Sequence, residues 1–112
     1  MTYKVVLVPF PFDDLSGQKV RPAVCLTPAI GPHRHIVLAF ITSSSLAKLE
    51  VTDVALSRSV AGFSTTGLRV DSTLRLHRLI TVSASIIIRQ LGILPKNLES
   101  IVENRLRALF AL

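Results

Sequence analysis

The stretch VLVPFPFDDLSGQKVRPAVCL, residues 6–26, contains two apolar runs separated by a polar turn sequence. The first run is rich in β-branched residues and predicts a strand over residues 3–8. This strand is expected to end before Pro9 and Pro11, because proline cannot donate a hydrogen bond to a sheet. Asp, Ser and Gly then favour a loop over residues 12–19 that joins antiparallel strands.

Two further strands are predicted from the next apolar runs. Residues 20–27 form the first of them, with Pro22 near its start, where a missing N–H is tolerated. The segment HIVLAFIT, residues 35–42, is apolar almost throughout. A strand with one face in water would alternate, so this continuous run predicts a core strand that is covered on both faces.

The second half of the chain carries weaker strand patterns. Residues 72–76 and 79–82 predict one bent strand, and residues 51–56 alternate weakly as another. A short helical turn is expected within residues 43–50. Two glycines and a cluster of Ser and Thr indicate a loop over residues 58–71.

The last segment predicts the one long helix. Residues 86–94 are expected to be extended, and Pro95 is well placed at the start of a helix, where its fixed φ angle helps. Apolar residues then recur at steps of three and four, which gives one face that packs on the core. These residues are Leu98, Ile101, Val102, Leu106, Leu109 and Phe110.

Together these elements predict a mainly β fold with helices. Six or seven short strands and a C-terminal helix suit a small antiparallel barrel, or a strongly curved sheet, capped by that helix. The 112 residues, 49% of them hydrophobic, are enough for one core and too few for two. We therefore expect a single domain over residues 1–112.

Charge and cysteine content narrow the classes of function. Thirteen Lys and Arg against seven Asp and Glu give a net charge of +6, which favours polyanionic partners, although small basic domains are common. A single cysteine, Cys25, excludes an internal disulfide framework and a cysteine-rich zinc site. The chain shows neither a secretory signal pattern nor an apolar stretch of about 18 residues. A soluble cytoplasmic protein with no membrane contact is expected.

Residues 6–26, followed by LAFITSSS at residues 38–45, resemble the MazF/PemK family of toxin endoribonucleases. In that family a first strand ends near Val-Pro-Phe, a second opens with Arg-Pro-Ala or Arg-Pro-Val, and a third ends in Thr-Ser. The C-terminal half is similar in layout, so the likeness spans nearly the whole chain. The resemblance implies an SH3-like barrel of the kind shared with the CcdB toxins, a homodimer, metal-independent and cofactor-independent cleavage of single-stranded RNA, and a cognate antitoxin.

The resemblance also implies catalytic residues. Arg21 matches the family's arginine, which would stabilise charge on the phosphate, with proton donation to the leaving oxygen as a second role. Thr42 matches the family's threonine, which would hold the scissile phosphate or the 2′-hydroxyl, with Ser43 as its nearest substitute. Without the resemblance, Arg21 could be a surface arginine in an ion pair, and Thr42 and Ser43 a cap or turn pair.

Arg75 and His77 lie two residues apart in a predicted strand and so point to the same face. In some relatives an arginine and an aspartate occupy these places, so His77 stands where an acid is expected. An imidazole can accept a proton near neutral pH, but a lone histidine is also often structural. The histidine that some relatives carry in the first loop is replaced here by Leu15. The identity of the general base therefore stays open.

RNA contacts are expected from the first loop and from scattered arginines. Unpaired bases can stack on aromatic rings and form hydrogen bonds along their edges, whereas a scatter of cations also often marks a solvated surface. The predicted RNA-binding residues are Phe12, Asp13, Ser16, Gly17, Gln18, Lys19, Arg69 and Arg78.

Two other residue patterns have weaker chemical interpretations. His33 and His35 flank Arg34 as a two-ligand pattern, but with no third ligand nearby a surface position is the better interpretation. Cys25, within a predicted strand, is interpreted as a buried apolar residue and not as a nucleophile.

Two alternative functions remain open. The first is a non-catalytic toxin of the same fold that binds DNA gyrase, as CcdB does, and that would not need Arg21 or Thr42. The second is a MazF homologue whose active site has decayed, suggested by His77 and by Tyr3-Lys4, where relatives often have Gly-Asp.

Overall fold

The computed structural model describes residues 2–10, 19–43 and 48–112. Its strands are β1 (Lys4–Phe10), β2 (Lys19–Cys25), β3 (His35–Thr42), β4 (Asp53–Leu56), β5 (Ser72–Ser83) and β6 (Arg89–Ile93), and the helix α1 is Glu99–Phe110. All neighbouring strands are antiparallel, and they form one curled sheet in the order β4-β5-β3-β2-β1-β6. The predicted fold class, a strongly curved antiparallel sheet with a C-terminal helix, is confirmed.

Each face of the sheet carries its own apolar cluster. The helix-side core packs β-strand side chains against α1 and includes Val24, Ala39, Ile41, Leu74, Leu76, Leu98 and Val102. The second core, on the other face, includes Val6, Val8, Ala23, Ile36, Leu38, Phe40 and Val82. Successive residues of β3 alternate between the two clusters, which explains why its sequence is apolar throughout. The prediction that this strand is covered on both faces is confirmed.

The C-terminal helix packs on the core with only part of its predicted face: Leu98, Val102 and Leu106 contact the helix-side core. Ile101 and Phe110 were predicted to face the core as well, but they are 37% and 56% exposed, so that part of the prediction is wrong. Val102 is fully buried against the sheet. A 3-10 turn at Lys96–Leu98 precedes α1, and Pro95 caps that turn. Within the described residues, no helix has the length and apolar character needed to cross a membrane.

The strand β5 contains a bulge near the candidate active-site residues Arg75 and His77. Ala39 pairs with Leu79, but the next residue, Phe40, pairs with Arg75. Residues 76–78 therefore lie between two successive pairs as a three-residue bulge. The predicted bent strand is confirmed, and the bend has a structural cause, because a bulge kinks its strand and changes the direction of nearby side chains.

The predicted end of the first strand is wrong. β1 continues through Pro9 to Phe10, and Pro9 pairs with Val20 of β2. The carbonyl of Leu7 accepts a hydrogen bond from the N–H of Ile88, which leads into β6. Backbone groups two residues apart in a strand point to the same side, so the nitrogen of Pro9 also faces the β6 side of β1. The pairing of β6 with β1 ends at Leu7, and the missing N–H of Pro9 therefore costs no ladder hydrogen bond there.

Two other boundaries shift for local reasons. β2 ends at Cys25 and not at Thr27, because the hydroxyl of Thr27 accepts the N–H of Val37 at 3.1 Å in place of a backbone carbonyl. β4 begins at Asp53, two residues later than predicted. The helical turn predicted within residues 43–50 lies partly outside the described residues.

Gly92 of β6 lies directly against the 3-10 turn Phe63–Thr66, and a Cβ there would overlap the carbonyl oxygen of Thr65. We expect Gly92→Ala to lower the free energy of unfolding by about 1–3 kcal/mol, the usual cost of overpacking. Chemical denaturation followed by circular dichroism measures this change. Ser64→Ala, at an exposed position on the same turn, is the control. An unchanged midpoint for Gly92→Ala would contradict the close approach.

Candidate active site

Arg21 and Thr42 line one pocket, at the end of the sheet where β2 begins and β3 ends. Ala23 and Phe40 are the last paired residues of β2 and β3 at this end. Arg21 and Thr42 each lie two residues beyond that pair and therefore on the same face of the sheet. The pocket has a volume of about 140 Å³ and is lined by Arg21, Phe40, Ile41, Thr42 and Arg78. Two candidate residues that are distant in sequence are thus brought together.

Arg78 adds a second cation to this pocket. It belongs to the β5 bulge, and its guanidinium carbon lies 5.9 Å from the ring centroid of Phe40. This distance is within the range of a cation–π interaction, which holds the guanidinium over the aromatic face. Arg21 and Arg78 give the pocket a positive lining suited to a phosphate group. Arg78 was predicted as an RNA-binding residue and not as a member of the catalytic group, whereas in the structure it lines the same pocket as Arg21 and Thr42.

Asp53, Arg75 and His77 form a charged cluster beside this pocket. Nε of Arg75 donates to Oδ1 of Asp53 at 2.9 Å, and Nδ1 of His77 lies 3.9 Å from the same oxygen. The backbone N–H of Glu50 donates to Oδ2 at 2.8 Å. The side chain of Asp53 is 0% exposed, whereas that of His77 is 38% exposed. The cluster therefore has a buried acid at its base and a histidine open to solvent.

Strand register shows that the cluster and the pocket share one face of the sheet. Asp53 pairs with Arg75, Arg75 pairs with Phe40, and Phe40 pairs with Ala23, so these four residues form one row across β4, β5, β3 and β2. Phe40 lines the pocket. The prediction that Arg75 and His77 point to one side agrees with their common partner, Asp53.

Asp53 was missed by reasoning from the sequence. The signal was present, because Asp53 is the single acidic residue in the weakly alternating segment 51–56. A buried carboxylate requires hydrogen-bond or charged partners, so an acid in such a strand could have prompted a search for them. Arg75 is 22 residues further along the chain and His77 lies just beyond it, so neither partner could be identified without the strand pairing.

Ser43 and Arg69 do not join this pocket. They line a separate groove of about 360 Å³, together with Pro22, Ser72 and Arg89. Neighbouring residues in a strand point to opposite faces, which explains why Thr42 and Ser43 are separated. The groove carries two arginines of its own.

Most of the predicted loop contacts lie outside the described residues, namely Phe12, Asp13, Ser16, Gly17 and Gln18. Lys19 is described. It begins β2 as an exposed residue and pairs with Phe10. Its position is two residues from Arg21, on the same strand.

His33, His35 and Cys25 have structural interpretations. Both histidines are exposed, His33 in the turn before β3 and His35 as the first residue of that strand, with their rings stacked and their centroids 5.8 Å apart. Within residues 2–10, 19–43 and 48–112 no group of three or more His, Cys, Asp or Glu side chains could hold a metal ion. Cys25 is buried in the second core, and burial raises the pKa of its thiol. A raised pKa keeps the thiol protonated and unreactive at neutral pH.

Comparisons with known proteins agree on one family. Residues 2–110 match the family model for the PemK-like, MazF-like toxin of type II toxin-antitoxin systems. The fold resembles that of the Mycobacterium tuberculosis toxin MazF-mt6, with a TM-score of 0.73, 21% identity and 97% of each chain covered. It also resembles an endoribonuclease solved in complex with its cognate antitoxin from a mycobacterial species, with a TM-score of 0.70 and 14% identity over 100% of this chain and 95% of that one. No protein of curated function matches the sequence significantly.

Proposed function

The chain belongs to the PemK-like, MazF-like family of type II toxin-antitoxin toxins, and on this basis we propose that it is a metal-independent endoribonuclease that cleaves single-stranded RNA. The observation that carries the proposal is the pocket shared by Arg21, Thr42 and Arg78. Two guanidinium groups and a hydroxyl can together hold the oxygens of one phosphodiester. The net charge of +6 also favours approach of a polyanion.

The proposed reaction uses the nucleophile that RNA itself carries. The 2′-oxygen attacks the adjacent phosphorus, the bond from phosphorus to the 5′-oxygen breaks, and the products end in a 2′,3′-cyclic phosphate and a 5′-hydroxyl. The proton of the 2′-hydroxyl must leave and the 5′-oxygen must gain one. No metal is required to generate the nucleophile, and the arginines supply positive charge for the phosphate oxygens.

Each pocket residue has a proposed role in this step. Arg21 stabilises the negative charge that grows on the phosphate oxygens; because a guanidinium does not give up its proton in proteins, the 5′-oxygen takes its proton from water. Thr42 holds the phosphate or the 2′-hydroxyl in line for attack. His77 accepts the proton of the 2′-hydroxyl, since its exposed imidazole is the proton acceptor of the neighbouring cluster that is open to solvent.

The partners are proposed on the same basis. We propose that a cognate antitoxin neutralises the protein, because a structural neighbour was solved with its own antitoxin. An acidic, partly disordered antitoxin would complement the net charge of +6. We further propose that the toxin acts in the cytoplasm as a homodimer.

The test is incubation of the purified protein with single-stranded RNA in excess EDTA. We expect cleavage at the same rate as in magnesium, because no step is routed through a metal. Gel mapping of the fragments gives the sites and the rate, and a parallel gyrase supercoiling assay serves as the comparison. Inhibition of gyrase without RNA cleavage would overturn the proposal.

A further inference from the structure

Asp53 is buried more completely than its place on a short edge strand requires. Its side chain is 0% exposed, and both carboxylate oxygens have donors: Oδ2 takes the N–H of Glu50 at 2.8 Å and Oδ1 takes Nε of Arg75 at 2.9 Å. Burying a carboxylate is costly unless it is paired. A residue with no contact to solvent and no unused oxygen cannot touch RNA, so any part it plays must be exerted through its neighbours.

His77 is the neighbour through which Asp53 can act. Nδ1 of His77 lies 3.9 Å from Oδ1 of Asp53, and the histidine side chain is 38% exposed. The two ring nitrogens lie on different edges of the imidazole. With Nδ1 facing the buried acid, Nε2 is directed away from Asp53, as a proton acceptor for a bound ligand requires.

Arg75 is held by the same oxygen. Because its Nε donates to Asp53, the guanidinium is fixed at one edge while the rest of its fork can serve a phosphate. One carboxylate thus holds Arg75 by a hydrogen bond and faces His77 at 3.9 Å, on the face of the sheet that also carries Arg21 and Thr42. A positioned pair of this kind reduces the reorganisation needed during the reaction.

We propose that Asp53 is a positioning residue, which orients His77 and Arg75 and stabilises the imidazolium that forms when His77 accepts a proton. This inference rests on the proposed endoribonuclease function. In the step concerned, the bond between the 2′-oxygen and phosphorus forms and the bond from phosphorus to the 5′-oxygen breaks. The proton of the 2′-hydroxyl moves to Nε2 of His77, and the 5′-oxygen takes a proton from water. Asp53 neither gains nor loses a proton.

The primary test is Asp53→Asn in the full-length protein, assayed on single-stranded RNA. Asparagine keeps the size and an acceptor oxygen but removes the negative charge. We expect kcat to fall by about tenfold, a share of the 10²–10⁴ that a positioned base contributes, with a smaller change in KM because Asp53 does not itself touch RNA. A higher KM with kcat unchanged would overturn the proposal.

Asp71→Asn is the matched control. Asp71 is likewise paired with an arginine. The backbone N–H of Arg58 donates to Oδ1 of Asp71 at 2.7 Å, and Nε of Arg58 donates to the same oxygen at 3.4 Å. It has no contact with His77, so kcat should remain at the wild-type value. Equal losses in both variants would show that a generic loss of an acid–arginine pair is responsible, and would overturn the proposal.

A double-mutant comparison separates positioning from a purely structural role. If Asp53 acts in part through His77, adding Asp53→Asn to His77→Gln should slow the reaction clearly less than the tenfold expected for Asp53→Asn in the wild type. The same loss in both backgrounds would contradict the coupling. His77→Gln, at an exposed position, also tests the proposal if Asp53→Asn fails to fold, because wild-type kcat in His77→Gln would overturn it.

A spectroscopic readout is independent of cleavage. The Nε–H of Arg75 should exchange slowly with water in the wild type, since it is hydrogen-bonded to a buried acid, and faster in Asp53→Asn.

If the wild type does not cleave RNA, the proposed function fails and this inference fails with it. If the wild type cleaves and Asp53→Asn matches it in kcat, the inference alone fails.

Discussion

Replacing Arg21 by alanine is expected to lower kcat for RNA cleavage by roughly 100- to 1,000-fold, the usual effect of removing one preorganised charge-stabilising donor, or about 2.7–4 kcal/mol of transition-state stabilisation. Arg21 shares its pocket with Thr42 and Arg78, so its guanidinium is in position to meet a phosphate. The charge on the phosphate oxygens grows during the reaction. The loss should therefore appear mainly in kcat and less in KM.

The control for this variant is Arg107→Ala. It removes the same charge from α1, which packs on the helix-side core, on the opposite face of the sheet. We expect wild-type kcat from Arg107→Ala and a native circular dichroism spectrum from both variants. A folded Arg21→Ala protein that retains wild-type activity would contradict the assignment of the site.

Arg21→Lys refines the same prediction. Lysine keeps the positive charge but lacks the planar fork of donors that matches two phosphate oxygens at once. Its rate should lie between those of the wild type and Arg21→Ala. Full activity in Arg21→Lys would mean that charge alone is needed at this position.

The central strand could be predicted because its sequence pattern and its environment agree. β3 spans the predicted residues 35–42 without change, since two cores cover both of its faces and every position favours apolar side chains. The C-terminal helix followed from its periodicity for a similar reason. Where local pattern and tertiary contacts point the same way, sequence reasoning succeeds.

Strand ends were less predictable because partners far along the chain decide them. Pro9 was expected to end β1, yet it is accommodated because β6 stops pairing at Leu7. Thr27 was expected to lie in β2, but its hydroxyl replaces a ladder hydrogen bond. Neither partner is visible from local composition.

The candidate site was only half accessible from the sequence. The resemblance led to Arg21 and Thr42, and the pairing of β2 with β3 brings them into one pocket. The role of Arg78 depends on the β5 bulge, and Asp53 depends on the pairing of β4 with β5. Both are consequences of register, which a single sequence does not reveal.

In the proposed mechanism the 2′-hydroxyl of the RNA is the nucleophile, and a single substitution in the substrate tests this role. Once the wild-type cleavage site has been mapped, the same oligoribonucleotide is prepared with one 2′-deoxynucleotide on the 5′ side of the scissile phosphate. Both oligonucleotides are incubated with the protein in EDTA, and binding of each is measured alongside. We expect the deoxy substrate to bind but to remain uncut at that phosphate, while the all-ribose substrate yields a 2′,3′-cyclic phosphate and a 5′-hydroxyl. Cleavage of the deoxy substrate at the same phosphate would contradict the mechanism.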